Sequence, residues 1–358
     1  MKLLKHLILG ITFLLSGLSL TAQDIHFSQF YMSPLNLNPA LTGVMNCNQR
    51  VVANYRNQWA SVLKGDAFST YSVSYDQRIP VGRYDYFGIG GTLWGDVAGS
   101  LDFQTLKAQI SASYSKRLGG YRDKSHYLVA GVDAGIAQRS IDLLKAEWGL
   151  QGVGGVFDPT VPSGEAGNWD RNNFIFGDFS VGMLWFSILN KDNNVYAGAA
   201  FSHLTQPDIS FSEDPPANGI DEEARKYLSK YTVHAGGEFK MTERIYLIPG
   251  AVLLFQGPSF EFNAGSSVRF NFGNSRVAEQ TFQLGAWMRL ANKADASLSS
   301  DAIIFSTRFD YDRFGIGFSY DINISDLKIA SNSNGAFEFS LIYNFCGNEK
   351  RNVYCPKF

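Results

Sequence analysis

A period-two alternation of apolar and polar residues, repeated from Val51 to Phe345, most restricts how this chain folds. Only a β-strand sends successive side chains to opposite faces, so the alternation predicts strands. Val51, Ala53, Tyr55, Asn57 and Trp59 share one face, and Val52, Asn54, Arg56 and Gln58 the other. Phe314, Ile316, Phe318 and Tyr320 alternate with Gly315, Gly317, Ser319 and Asp321. Phe337, Phe339, Leu341, Tyr343 and Phe345 alternate with Glu338, Ser340 and Asn344. About fourteen such segments occur, each near the roughly 9–11 residues that carry a tilted strand across a bilayer. Their centres are Tyr55, Val73, Gly90, Ile110, Val132, Val181, Ala199, Ala235, Val252, Ala264, Ala286, Ser306, Gly317 and Leu341. In the sixth, Phe174 and Phe176 are out of step with Phe179, Val181, Met183 and Trp185, which predicts a β-bulge at Gly177-Asp178.

A soluble sandwich also alternates, but its core has limited area. Here nearly every strand offers one aromatic-rich face and one face of Gly, Ser and mixed charge. Closing the sheet sets the first against lipid and the second around a lumen, and removes the open edges that lipid disfavours. The lumen set is then Arg56, Lys107, Asp133, Glu238, Glu261, Arg269, Arg289, Arg308 and Glu338. Both signs are present, so no strongly ion-selective pore is indicated. The fold predicted is an all-β, transmembrane, antiparallel up-and-down β-barrel. Charged residues are 18% of the chain, below the roughly 25% usual in soluble domains. Lys+Arg 31 against Asp+Glu 33 carries no nucleic-acid signature.

The connections test the strand count independently. With the first strand starting in the periplasm, odd-to-even connections lie outside. The two longest gaps, near 140–173 and 204–227, follow strands five and seven and land outside. The tight turns at 190–193, 241–244 and 311–313 land inside. Short periplasmic turns with long external loops are the usual asymmetry of outer-membrane barrels.

Lys2, Lys5 and His6 precede an apolar run from Leu7 to Leu20 and then Thr21-Ala22, the layout of a secretory signal peptide over 1–22. Residues 23–46 are rich in Asn, Pro and Leu: a periplasmic arm, a plug entering the barrel, or a disordered lead. Pro34 and Pro39 argue against a helix there. The barrel then spans 47–346, with a periplasmic tail over 347–358.

Cys47, Cys346 and Cys355 meet an oxidising compartment, so one disulfide with one thiol left over is expected. First and last strands adjoin in a closed barrel, which brings Cys47 near Cys346; Cys346 with Cys355 is the local alternative, and the sequence does not choose the pair. No Cys/His spacing suggests a metal site, and no cofactor motif occurs. His26-x-Ser28 sits in the Pro-rich lead, without the third group a hydrolase needs, so no catalytic residue is assigned. His234 falls on an inward face beside Glu238, and Gly88, Gly90 and Gly91 read as barrel packing positions. The external loops hold the candidate partner contacts, because rigid scaffolds present function on loops. These are Trp148 and Trp169 in one loop, and Glu213, Asp214, Asp221, Glu222 and Glu223 in the other.

Three motifs at the start of the mature chain carry a resemblance. They are Phe27-Ser28-Gln29-Phe30-Tyr31, Asn38-Pro39-Ala40-Leu41-Thr42-Gly43 and Tyr55-Arg56-Asn57-Gln58-Trp59. Together they resemble the start of the PorP/SprF family, and Cys355-Pro356-Lys357-Phe358 resembles its terminal signature, where Arg is more usual than Lys at the third place. The resemblance implies a non-enzymatic outer-membrane barrel of the type IX secretion system of Bacteroidota, serving secretion or gliding motility. It also implies as partners a large secreted adhesin, recognised through its C-terminal domain, and other components of that system. From the residues alone, a passive porin or hydrophobic-solute transporter is the alternative.

Overall fold

The computed structural model describes residues 24–121, 124–153, 156–158, 160–162, 171–212, 225–272, 280–292, 297–326 and 328–347. Fourteen antiparallel strands close into one barrel. They are β1 (Gln49–Gln58), β2 (Phe68–Val81), β3 (Asp85–Ala98), β4 (Phe103–Gly119), β5 (Ser125–Ser140), β6 (Asn173–Ile188) and β7 (Asn194–Ser202). The second half comprises β8 (Lys230–Lys240), β9 (Ile245–Gln256), β10 (Ser259–Asn271), β11 (Gln280–Asn292), β12 (Leu298–Tyr311), β13 (Phe314–Asn323) and β14 (Asn334–Phe345). All fourteen centres read from the alternation fall inside these strands. Closure is made by β1 against β14, from Gln49 opposite Phe345 to Gln58 opposite Ala336.

The alternation sorts side chains as lipid and lumen require. Ile110 is 73% exposed on the outer face, and Tyr71, Val73, Val132, Phe305 and Leu341 lie exposed there too. Ser72, Ser74, Ser111, Ser113 and Ser180 are buried on the inner face. Connections divide as expected. One mouth carries the short turns, including 189–193, 241–244 and 312–313, and the other carries the two long connections, 141–172 and 203–229.

β6 departs from expectation. Its pairing with β5 runs unbroken from Ser125–Ile188 to Ser140–Asn173, so no bulge occurs at Gly177-Asp178. Phe174 and Phe176 instead point inward, where Ala137 and Tyr227 bury them and Ile209 and Phe211 of the 203–229 connection pack over them. The change of polarity along β6 therefore marks a strand that projects past the polar part of the inner wall, under a loop. Register does shift beside Arg117/Gly119, Arg289/Leu290 and Tyr320/Ile322.

Residues 24–47 run inside the barrel. Three short turns shape the segment: a 3-10 turn at Phe30–Met32, a single α-turn at Pro34–Leu37 and a 3-10 turn at Pro39–Leu41. Both prolines begin a turn, where a missing N–H removes no internal hydrogen bond. The expectation that they exclude helix thus fails at the scale of single turns. The barrel's apolar core lies where this plug meets the wall. Ala40, Leu41 and Val44 pack on Tyr127, Leu184 and Phe186, Phe30 packs on Val252, Trp287 and Ile304, and Met32 on Val52 and Ile342.

Candidate functional site: the lumen plug and the two mouths

Alternation places polar side chains all round the inner wall, and the plug's backbone and side chains meet them at four levels. At the long-connection mouth, the Asp24 N–H donates to Gln256 Oε1 (2.7 Å), while the Tyr227 hydroxyl and Lys230 Nζ donate to its carboxylate at 2.9 and 3.0 Å. His203 Nε2 is 3.4 Å away, its ring stacked on Tyr227. Burial alone would raise the Asp24 carboxyl, but the Lys230 ammonium and the His203 ring outweigh it and hold it well below its usual range. Burial likewise opposes charge on His203, yet the Asp178 and Asp24 carboxylates raise its affinity for a proton.

One level down, Ser28 is saturated. Its hydroxyl donates to Asp321 Oδ2 (2.8 Å) and accepts from Arg56 Nη1 (2.7 Å) and Arg289 Nη1 (3.0 Å). The N–H groups of Ser28 and Gln29 donate to the two Glu338 oxygens at 2.6 and 2.9 Å. Arg56 also pairs with Glu338 and Asp321, and Arg289 with Asp321 and Asp301. Removing one member of such a buried network strands the others, which costs about 3–5 kcal/mol.

In the middle, Asn38 Nδ2 donates to the carbonyls of Met183 (3.1 Å) and Ala199 (3.2 Å) and lies 3.0 Å from His234 Nε2. Its Oδ1 accepts the Ala40 N–H, capping the turn that follows. Near the short turns, the Gly43 N–H donates to Asp76 Oδ2 (2.7 Å), and Asp76 is paired by Arg50. Gly43 has φ +71°, and a Cβ there would sit 2.7 Å from Gly88 Cα. The wall answers with glycines of its own. A Cβ on Gly88 would lie 2.2 Å from Thr42 O, and one on Gly131 would lie 2.4 Å from Ala40 N. The inward glycines are thus a cradle for the plug. A disulfide from Cys47 to Cys346, with Cα atoms 4.4 Å apart, ties the stem of the plug to the last strand.

A cavity remains at each mouth. The one at the short turns, about 390 Å³, is lined by Arg50, Arg269, Arg308, Asp310 and the disulfide. The one at the long connections, about 320 Å³, is lined by Asp24, His26, Trp94, Asp96, Arg139 and Tyr227 among others.

The residues singled out in the sequence scatter by this geometry. Arg56, Lys107, Asp133, Glu238, Glu261, Arg269, Arg289 and Glu338 are buried inward. Several pair along the wall between strands two apart, as Lys107 of β4 does with Asp178 of β6 at 2.5 Å and Arg269 of β10 with Glu238 of β8; Arg308 pairs with Asp310 at the short-turn mouth. Phe27, Ser28, Gln29, Asn38, Pro39, Ala40 and Gly43 form the plug, and Arg56 reaches it. Tyr55 and Asn57 face outward, Gln58 accepts from Arg56, and Trp59 packs on Phe68. His26 lies 3.5 Å from Glu261. Trp148 is partly exposed, its N–H donating to Gln151. Trp169, Glu213, Asp214, Asp221, Glu222, Glu223, Cys355, Pro356 and Phe358 lie outside the described residues. Sequence reading missed Asp76, Arg50, Arg78 and Asn54 as plug contacts. Their inward phase on β1 and β2 was the available signal. Among the described residues no group of three His, Cys, Asp or Glu side chains is arranged to hold a metal.

Comparison with known proteins adds identity. Among solved structures, the chain is similar to the TodX monoaromatic hydrocarbon channel (13% identity, 86% of this chain and 93% of that one, TM-score 0.47). It is also similar to the CymD monoaromatic hydrocarbon channel (11% identity, 92% and 95%, TM-score 0.44) and the Ralstonia pickettii toluene transporter TbuX (10% identity, 91% and 97%, TM-score 0.43). No curated protein matches. The profile of the family described as type IX secretion system membrane protein PorP/SprF matches residues 19–343. With nearly the whole chain matched and a closed fourteen-stranded barrel to carry it, this protein belongs to the PorP/SprF family of type IX secretion system membrane proteins.

Proposed function

We propose that this outer-membrane barrel is a non-enzymatic, closed-lumen member of the secretion system that supports export or surface attachment of a large secreted adhesin, engaged through the adhesin's C-terminal domain. Other type IX components are further partners. The single observation that carries the reading is the plug. A segment held along the lumen by hydrogen bonds to wall carboxylates and by apolar packing leaves little room for passive diffusion, which favours partners at the mouths over a passive porin. In this reading 1–22 is a cleaved signal peptide and 347–358 a periplasmic tail. The short-turn mouth faces the periplasm and the long-connection mouth the exterior, following the loop asymmetry of such barrels. Periplasmic placement then applies to the Cys346 end alone. Asp24 lies at the long-connection mouth, and the disulfide at the short-turn mouth.

Trp148, Trp169, Glu213, Asp214, Asp221, Glu222 and Glu223 are the proposed partner contacts. Excising 205–226 would also remove Ile209 and Phe211, which cover Phe174 and Phe176. Deleting 213–224 instead keeps that packing and the Asp208–Arg225 pair. The shorter deletion should assemble normally and lose the adhesin in whole-cell crosslinking with mass spectrometry. Retention of every large surface protein by a strain lacking the barrel, together with impaired uptake of small solutes, would make it a porin and end this reading.

A further inference from the structure

We infer that the cavity at the long-connection mouth is a binding site for a carboxylate, with the Arg139 guanidinium as its receiving group. One belt of inward residues crosses this cavity: Glu338, Arg56, Thr70, Asp96, Thr105, Arg139 and Phe174 stand opposite one another on successive strands. Within the belt Arg56 is paired with Glu338, and Thr70 donates to Asp96 at 2.5 Å. Arg139 is buried, and its only hydrogen bond among the described residues is a long one, 3.4 Å, from Nε to the Thr105 hydroxyl. It has no carboxylate partner among them. Other buried cations of the lumen do: Arg50 with Asp76, Lys107 with Asp178, Lys230 with Asp24, Arg269 with Glu238 and Arg289 with Asp321.

A buried cation with no carboxylate in ion-pair contact is costly, and this one lines a cavity of about 320 Å³. The guanidinium carbon lies over the rings of Phe103 and Tyr227, 5.2 Å from each centroid. Its Nη groups make no hydrogen bond among the described residues, and the side chain lines the cavity. A planar fork of donors matches a carboxylate. Asp24 and Asp96 line the same space, so a dianionic phosphate meets more repulsion than a single carboxylate. Phe68 and Trp94 supply apolar wall for the stem that bears it.

The site goes beyond the export reading, since a carboxylate binds here whether or not an adhesin is captured. Calorimetry on the full chain in detergent would use blocked glutamate (N-acetyl, C-terminal amide), its glutamine counterpart and free glutarate. Blocked glutamate should bind saturably and glutamine should not. Arg139→Gln should weaken binding at least tenfold, about 1.4 kcal/mol. Asp96→Asn should strengthen it, an independent readout if the arginine variant fails to show heat-modifiable migration. Glutarate binding as tightly as blocked glutamate would identify a free organic acid as the source; weaker binding would identify a protein side chain. Absence of saturable binding by both acids, or equal binding by a folded Arg139→Gln barrel, would overturn the assignment.

Discussion

Replacing Gly88 and Gly131 together by alanine should unseat the plug while leaving the barrel closed. Neither glycine sits at positive φ, so the strand backbone admits alanine, and the Ser113 hydroxyl, 2.6 Å from a Cβ on Gly88, must rotate aside. The added Cβ atoms would lie 2.2 Å from Thr42 O and 2.4 Å from Ala40 N, against the 3.4 Å at which ordinary contact begins, so the plug must retreat by about 1 Å at two points. That movement stretches the bonds from Ser113 Oγ to Thr42 O (2.6 Å) and from Thr42 Oγ1 to Ser111 Oγ (2.9 Å). Overpacking costs about 1–3 kcal/mol per site, and each hydrogen bond is worth about 1 kcal/mol net. The plug therefore loses about 4 kcal/mol or more, while the strand ladders keep their pairing. In planar bilayers the parent barrel should be silent and the double variant should conduct. Protease should cut within 24–46 only in the variant. A heat-modifiable, folded variant that stays silent with this segment protected would refute the cradle argument.

Arg56→Met should destabilise the barrel by about 3–5 kcal/mol, because Glu338 and Asp321 lose a buried partner. Adding Glu338→Gln should restore part of this in urea unfolding, and strict additivity of the two changes would disprove the coupling. Reducing Cys47–Cys346, or replacing both with serine, should lower the unfolding free energy by about 2–4 kcal/mol; unchanged stability would mean the stem is held by noncovalent contacts alone. The Asp24 anchor should depend on pH in two directions. Its carboxyl is held below 3.8, so its contribution is present above that value and fades as pH falls below it. His203 is held above 6.5, so its contribution is present below that value and fades as pH rises through the raised one. Hydrogen-exchange protection over residues 24–30, taken relative to the intrinsic rate at each pH, should thus be greatest between these limits, and Asp24→Asn should abolish the acid limb.

The plug shows where sequence reasoning stops. Strand number, faces and the long-loop parity were legible because period two is a local property, visible within ten residues of chain. The inward charges were legible for the same reason. Phe174 and Phe176 misled because the alternation reports a side chain's face only while lipid and lumen keep their characters; under a covering loop the inner face becomes apolar.

Sequence by itself determined a closed antiparallel sheet: no other arrangement satisfies fourteen alternating segments in a bilayer without exposed edges. Only the tertiary structure decided what fills it. Ser28 meets Glu338 across 310 positions and Asn38 meets Met183 across 145, and a stretch of Asn, Pro and Leu has no periodicity that announces such distant partners. Its shape is imposed by the wall, whose glycines make room and whose charges supply the hydrogen bonds that a buried backbone requires.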